Sequence, residues 1–144
     1  TQRERQLSSL TELRLAVEPA AAASAARLAP LDVKAKFPVY AARMRQIAEA
    51  NEEGEAGLAQ FHDLDVEFHT LILHESGNEL FAALSDTIAT VLRGRVELGK
   101  YPPKSDALDA HDAVADAIAK GEPERARSAM LDIVDEVARA LNFF

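Results

Sequence analysis

Apolar residues in this chain recur at the spacing of a helix, and no run of β-branched residues alternates as a half-buried strand would. Near the C-terminus Ala126, Met130, Ile133, Val137 and Ala140 share one helical face, and upstream Leu108, Val114, Ala115 and Ile118 share another. The pattern restricts the chain to an all-α fold. Six helical stretches are predicted. They run from about Leu7 to Leu28 with Pro19 as a kink point, Leu31 to Ala50 interrupted by Pro38, Leu58 to Glu75, Asn78 to Leu98, Ser105 or Asp106 to Lys120, and from Pro123 onward. Ser76-Gly77-Asn78 is the sharpest punctuation: Gly77 can close one helix in the left-handed region and Asn78 can cap the next. Gly121 closes the fifth helix, and Pro123 suits the first turn of the last. Asn51 to Gly57 and Gly99 to Lys104 read as linkers. Short loops between long amphipathic helices imply antiparallel neighbours. Residues 1–144 are therefore expected to form one domain, an antiparallel bundle of about six helices around a central ligand cavity.

Composition narrows the function classes. The formal net charge is −8, and the pI is near 5. Phosphate backbones attract basic surfaces, so this domain is not expected to grip nucleic acid by itself. Cysteine is absent, which removes disulfides and thiolate metal sites and fits a reducing compartment. No apolar run is long enough to cross a bilayer, and no signal peptide opens the sequence, so no membrane partner is expected.

Within the third stretch, Leu58, Phe61, Asp65, Phe68 and Ile72 follow helical spacing, so an aspartate occupies a place where a helix should bury an apolar residue. A carboxylate there is costly unless it is paired or bound to a metal. His69 follows four residues after Asp65 and projects from the same face. His111 lies on the apolar stripe of the fifth helix. Three groups able to bind a cation thus point toward a helical interior. The blander alternatives are a solvated Asp65–His69 pair and a hydrogen-bonded core histidine at 111. His62 and His74 read as surface or rim residues. Arg14 and Glu18, four apart, form either an intrahelical ion pair or, through Arg14, a carboxylate clamp inside the cavity. Arg93 on the fourth helix is either a second anion partner or a solvated surface arginine, and Asn78 is a helix cap with a lesser role as a ligand contact.

The ordered pieces resemble a known family. They are Glu12-Leu13-Arg14, Val17-Glu18-Pro19 with the alanine-rich helix, Asp65-Val66-Glu67-Phe68-His69, Ser76-Gly77-Asn78, the segment His111 to Ile118, and Gly121 to Met130. Together they resemble the C-terminal effector-binding domain of FadR-type regulators in the GntR superfamily, over roughly residues 7 to 141.

The resemblance implies a helical bundle that forms homodimers, sits downstream of a winged helix-turn-helix domain, and holds a small carboxylate beside a divalent metal. DNA would be contacted only through that N-terminal domain, which the chain beginning Thr1-Gln2-Arg3-Glu4-Arg5 does not contain, and a cytoplasmic location follows. The family metal set matches Asp65, His69 and His111. Its fourth ligand, a histidine 22 residues after the third, falls on Ile133, which cannot bind metal. Three protein ligands with open positions suit zinc, and also nickel or manganese with added waters. A branch of the superfamily that responds to sugar acids also carries an aliphatic residue there, which tilts the expected effector toward sugar acids and small hydroxy-carboxylates. Two alternatives are a metal-dependent hydrolase on a helical bundle, and a helical interaction module with no small ligand. The first has little support, because none of the four histidines has a glutamate three residues before it.

Overall fold

The computed structural model describes residues 1–50, 55–97 and 105–140, and its described residues are helical without a strand. The elements are α1 (Gln2–Leu28), α2 (Leu31–Lys34), α3 (Lys36–Glu49), α4 (Glu55–His74), α5 (Glu79–Ala83), α6 (Ser85–Glu97), α7 (Ser105–Ala119) and α8 (Pro123–Ala140). The predicted linker at Asn51 lies outside the described residues up to Gly54, as does the loop Gly99 to Lys104.

Two predicted stretches are each divided. Pro38 has no N–H to donate back to residue 34, so a continuous helix would lose a bond there. The chain instead restarts at Ala35, which puts Pro38 in the first turn of α3, where that donor is not needed. The second division lies at Leu84, between α5 and α6. There the Ser85 hydroxyl donates to the Ala82 carbonyl at 2.7 Å, competing with the helical ladder. Pro19, by contrast, does not divide α1, which continues as one element of 27 residues.

The alanine-rich half of α1 explains the architecture. Ala21, Ala22, Ala25 and Ala26 are wholly buried, and α1 packs along α8, which contributes Ala126, Met130 and Val134 to the same core. Small side chains at a helix contact shorten the distance between axes. Across the bundle, Phe37 of α3 meets Phe68 of α4 edge to face, with ring centroids 5.6 Å apart. A smaller cluster of Met44, Ile47, Phe61 and Leu108 joins α3, α4 and α7.

The predicted turn at 76–78 is realised. Gly77 has φ +75°, and the Asn78 side chain accepts from the backbone N–H groups of Leu80 (2.9 Å) and Phe81 (3.1 Å). A Cβ at Gly77 would stand 2.7 Å from Leu28 Cδ1. Because Leu28 is exposed, its side chain can swing aside, and backbone strain is the main cost. Gly77→Ala is expected to destabilise the fold by about 1–2 kcal/mol, read from the denaturant midpoint.

Candidate metal centre

Two helices bring the site together. Asp65 and His69, one turn apart on α4, face His111 on α7, and all three are buried, at 2%, 1% and 5% exposure. His111 Nε2 lies 3.1 Å from Asp65 Oδ1, and His69 Nε2 lies 3.3 Å from both Asp65 Oδ1 and His111 Nε2. A triangle of this size fits one metal ion. With bonds of about 2.1 Å, neighbouring ligands stand about 3.4 Å apart in a tetrahedral site and about 3.0 Å apart in an octahedral one.

The far nitrogens fix the direction of the rings. His111 Nδ1 is 2.7 Å from the Ala107 carbonyl oxygen, which can only accept, so Nδ1 carries the proton. His69 Nδ1 donates in the same way to Glu18 Oε1. Neutral imidazoles held like this turn both Nε2 lone pairs, together with Asp65 Oδ1, toward one point. Three acceptors converging there require a cation or an extra proton.

Glu18 was missed as a site residue. The sequence places it one turn after Arg14, and the structure keeps that pair, with Arg14 Nε donating to Glu18 Oε2. The other carboxylate oxygen spans 51 residues of sequence to reach His69. Burial alone would raise the Glu18 carboxyl, but the Arg14 guanidinium and His69 outweigh it and hold the group at about 2. Burial would likewise lower His69, yet Glu18 and Asp65 raise it to about 8. Burial opposes ionisation of Asp65 too, and its contacts with the His111 and His69 rings still hold it well below the usual carboxylate range.

In the metal-free protein, then, a proton on His69 Nε2 occupies the place of a cation near neutral pH. A metal must expel that proton. Affinity is therefore expected to fall about tenfold for each pH unit below about 8, measured by chelator competition between about pH 6 and pH 8.

The histidine-bearing face of α7 is anchored from outside by a second residue that sequence reasoning did not single out. Arg45 of α3 reaches Asp109 Oδ1 at 2.6 Å and Asp112 Oδ2 at 2.6 and 3.0 Å, bracketing His111.

A pocket of about 440 Å³ opens against the triangle between α4, α7 and α8. Its wall includes Phe61, Asp65, Leu108, His111, Ile133 and Val137, while Asp106, Asp109, Asp132 and Glu136 stand at its exposed side. It is thus reached from one flank of the bundle. Ile133 contributes an apolar surface where a fourth ligand would have stood.

The anion-binding residues expected from sequence are dispersed. Arg14 is wholly buried behind Glu18 and does not line this pocket, and its Nη1 and Nη2 have no hydrogen-bond partner. Arg93 on α6 is exposed, and Asn78 is committed to capping α5; neither lines the pocket. His74 is exposed and pairs with Ser85 at 3.3 Å, while His62 is half-buried.

Residues 9–136 match the FCD domain, the FadR C-terminal domain of GntR regulators. The chain belongs to the FCD family. Among solved structures, this FCD domain is similar to Streptococcus agalactiae GntR, with a TM-score of 0.80 and 28% sequence identity. The match covers 97% of this chain and 61% of that one, so the FCD domain spans about three-fifths of the protein it resembles. No curated protein matches its sequence. As an FCD domain it belongs to a family of regulatory rather than enzymatic domains. No helix among the described residues is long and apolar enough to cross a membrane.

Proposed function

We propose that this FCD domain senses a small carboxylate at a divalent metal held by Asp65, His69 and His111. The observation that supports it most is the triangle of three buried acceptors at 3.1–3.3 Å, its imidazoles fixed from behind, at the wall of a ligand-sized pocket. Zinc, nickel or manganese would suit this donor set, which leaves coordination positions open for an effector oxygen. The metal would supply Lewis-acid attraction for that oxygen, while the protein orients the rings and excludes water from the buried side.

Among the three anion contacts expected from sequence, Arg14 is favoured, because two of its buried nitrogens keep no hydrogen bond, whereas Asn78 has its oxygen engaged and Arg93 faces solvent. Arg14 does not line the pocket, so it would meet a carboxylate only in an arrangement of helices that extends the pocket past Glu18 toward α1. In the full regulator, a cytoplasmic homodimer, the effector would favour one arrangement of helices and so alter the spacing of the two DNA-binding domains. Its leverage is limited to its differential affinity for the two arrangements.

Elemental analysis with native mass spectrometry tests the metal, and calorimetry on metal-loaded and chelator-stripped protein tests the acid. The expected result is about one metal per chain, with binding of small carboxylates that vanishes on stripping. A protein that takes up no divalent ion, or binds acids equally well without one, overturns the proposal.

A further inference from the structure

The pocket's charges select among carboxylates. Among the described residues, five carboxylates line it, at Asp65, Asp106, Asp109, Asp132 and Glu136, and no lysine or arginine does. Asp65 belongs to the metal set, and Asp109 is paired at 2.6 Å with Arg45, which it shares with Asp112. The remaining three have no ion-pair partner among the described residues.

On α7 and α8, the two helices that carry them, these three are the exceptions. The other acids of α8 are paired, Glu124 with Arg127 and Asp135 with Arg139, and Asp116 of α7 is held by both Lys120 and Arg125. On α8 the unpaired acids are the two that face the pocket. Asp132 and Glu136 also stand one turn apart, an arrangement of like charges that weakens a helix.

The inner end has the opposite sign. A divalent ion facing one aspartate, with Arg14 and Glu18 cancelling each other, leaves one unit of positive charge beside the pocket. One carboxylate balances it. A second anionic group on the same ligand would lie among the unpaired acids, and a hydroxyl would leave them unrelieved.

We propose that the effector is zwitterionic, with a carboxylate directed to the metal end of the pocket and an ammonium group held at its mouth by Asp106, Asp132 and Glu136. The inference rests on the reading that a carboxylate meets the metal, and it replaces the sugar-acid tilt with an amine-bearing acid. The acids at the mouth set the class of ligand, while the site itself stands on the buried triangle and its cavity. A volume of about 440 Å³ has room for both ends of such a molecule.

The test uses zinc-loaded protein and three matched series titrated by calorimetry: 4-aminobutanoate, 5-aminopentanoate and 6-aminohexanoate; the ω-hydroxy acids of the same lengths; and succinate, glutarate and adipate. The best amino acid is expected to bind about tenfold more tightly than its hydroxy counterpart, as two or three solvent-facing charge contacts allow, and the dicarboxylate more weakly still. The double variant Asp132→Asn/Glu136→Gln, altered only at exposed positions, is expected to shrink that preference to about threefold or less, with the hydroxy acids binding no more weakly than before. Hydroxy acids or dicarboxylates that match or outbind the amino series overturn the inference and leave the metal–carboxylate reading intact. A preference that survives the double variant also overturns the inference. Binding of none of the three series to zinc-loaded protein removes that reading and the inference with it.

Discussion

Replacing Glu18 with alanine is expected to destabilise this FCD domain by about 3–5 kcal/mol, because it leaves the wholly buried Arg14 guanidinium without a counter-charge. For a domain near this size that corresponds to a fall in Tm of about 10 °C, read by calorimetry or circular dichroism. Removing the charge pair altogether, as in Arg14→Leu/Glu18→Leu, is expected to recover much of the loss, since burying two charges costs about what their attraction returns. Glu18→Gln separates the structural role from the chemical one. Arg14 can only donate, so the amide must turn its oxygen toward Arg14 and its NH₂ toward His69. His69 Nδ1 then accepts, and its proton moves to Nε2, inside the triangle. The fold is expected to survive this change better than Glu18→Ala, while metal affinity drops about 10–100-fold. Metal affinity unchanged in Glu18→Gln would show that the carboxylate does not set the tautomer of the ring.

His69→Ala is expected to carry the largest loss of metal affinity, more than about a hundredfold and beyond the range of an outer-shell change. Two terms combine. One corner of the triangle disappears, and Asp65 loses a hydrogen bond that helps keep it ionised in the interior. Glu18 keeps its bond to Arg14, so the helices should still assemble, with unchanged helical content by circular dichroism. His74→Ala is the matched control: that ring is exposed and its hydrogen bond goes to Ser85. Equal loss of metal in both variants would mean that the metal binds elsewhere on the surface.

Much of the site was legible because helices project side chains at known intervals. Asp65 and His69 are paired by a spacing of four, and each interrupts an apolar face, which only a partner can compensate. The position of Ile133 also proved informative, since it lines the pocket and offers no donor atom. The breaks at Ala35 and Leu84 were less legible, because they depend on which backbone bond a proline or a serine hydroxyl takes away. Glu18 was visible only as half of an ion pair with Arg14. Its second oxygen serves a helix 51 residues away, and no periodicity along one chain segment encodes that.

Arg14, Arg93 and Asn78 were grouped by chemistry, as groups able to meet an anion, and they occupy three different environments. Arg14 is sealed beside Glu18, Arg93 faces water, and the Asn78 oxygen takes two backbone donors of α5. A side chain's chemistry states what it can bind; its neighbours determine whether that capacity is still free.

From the sequence by itself came the helical class, the turn at Gly77, and the identity of the three groups that could hold a metal. Local spacing suffices for these, because hydrogen-bond periodicity and residue type are properties of short segments. Tertiary packing alone decided that α1 delivers a carboxylate behind His69, that α7 brings His111 within 3.3 Å of it, and that unpaired acids gather at one pocket mouth. Those distances arise from how helices far apart in the chain settle against a shared core, and neither periodicity nor composition contains them.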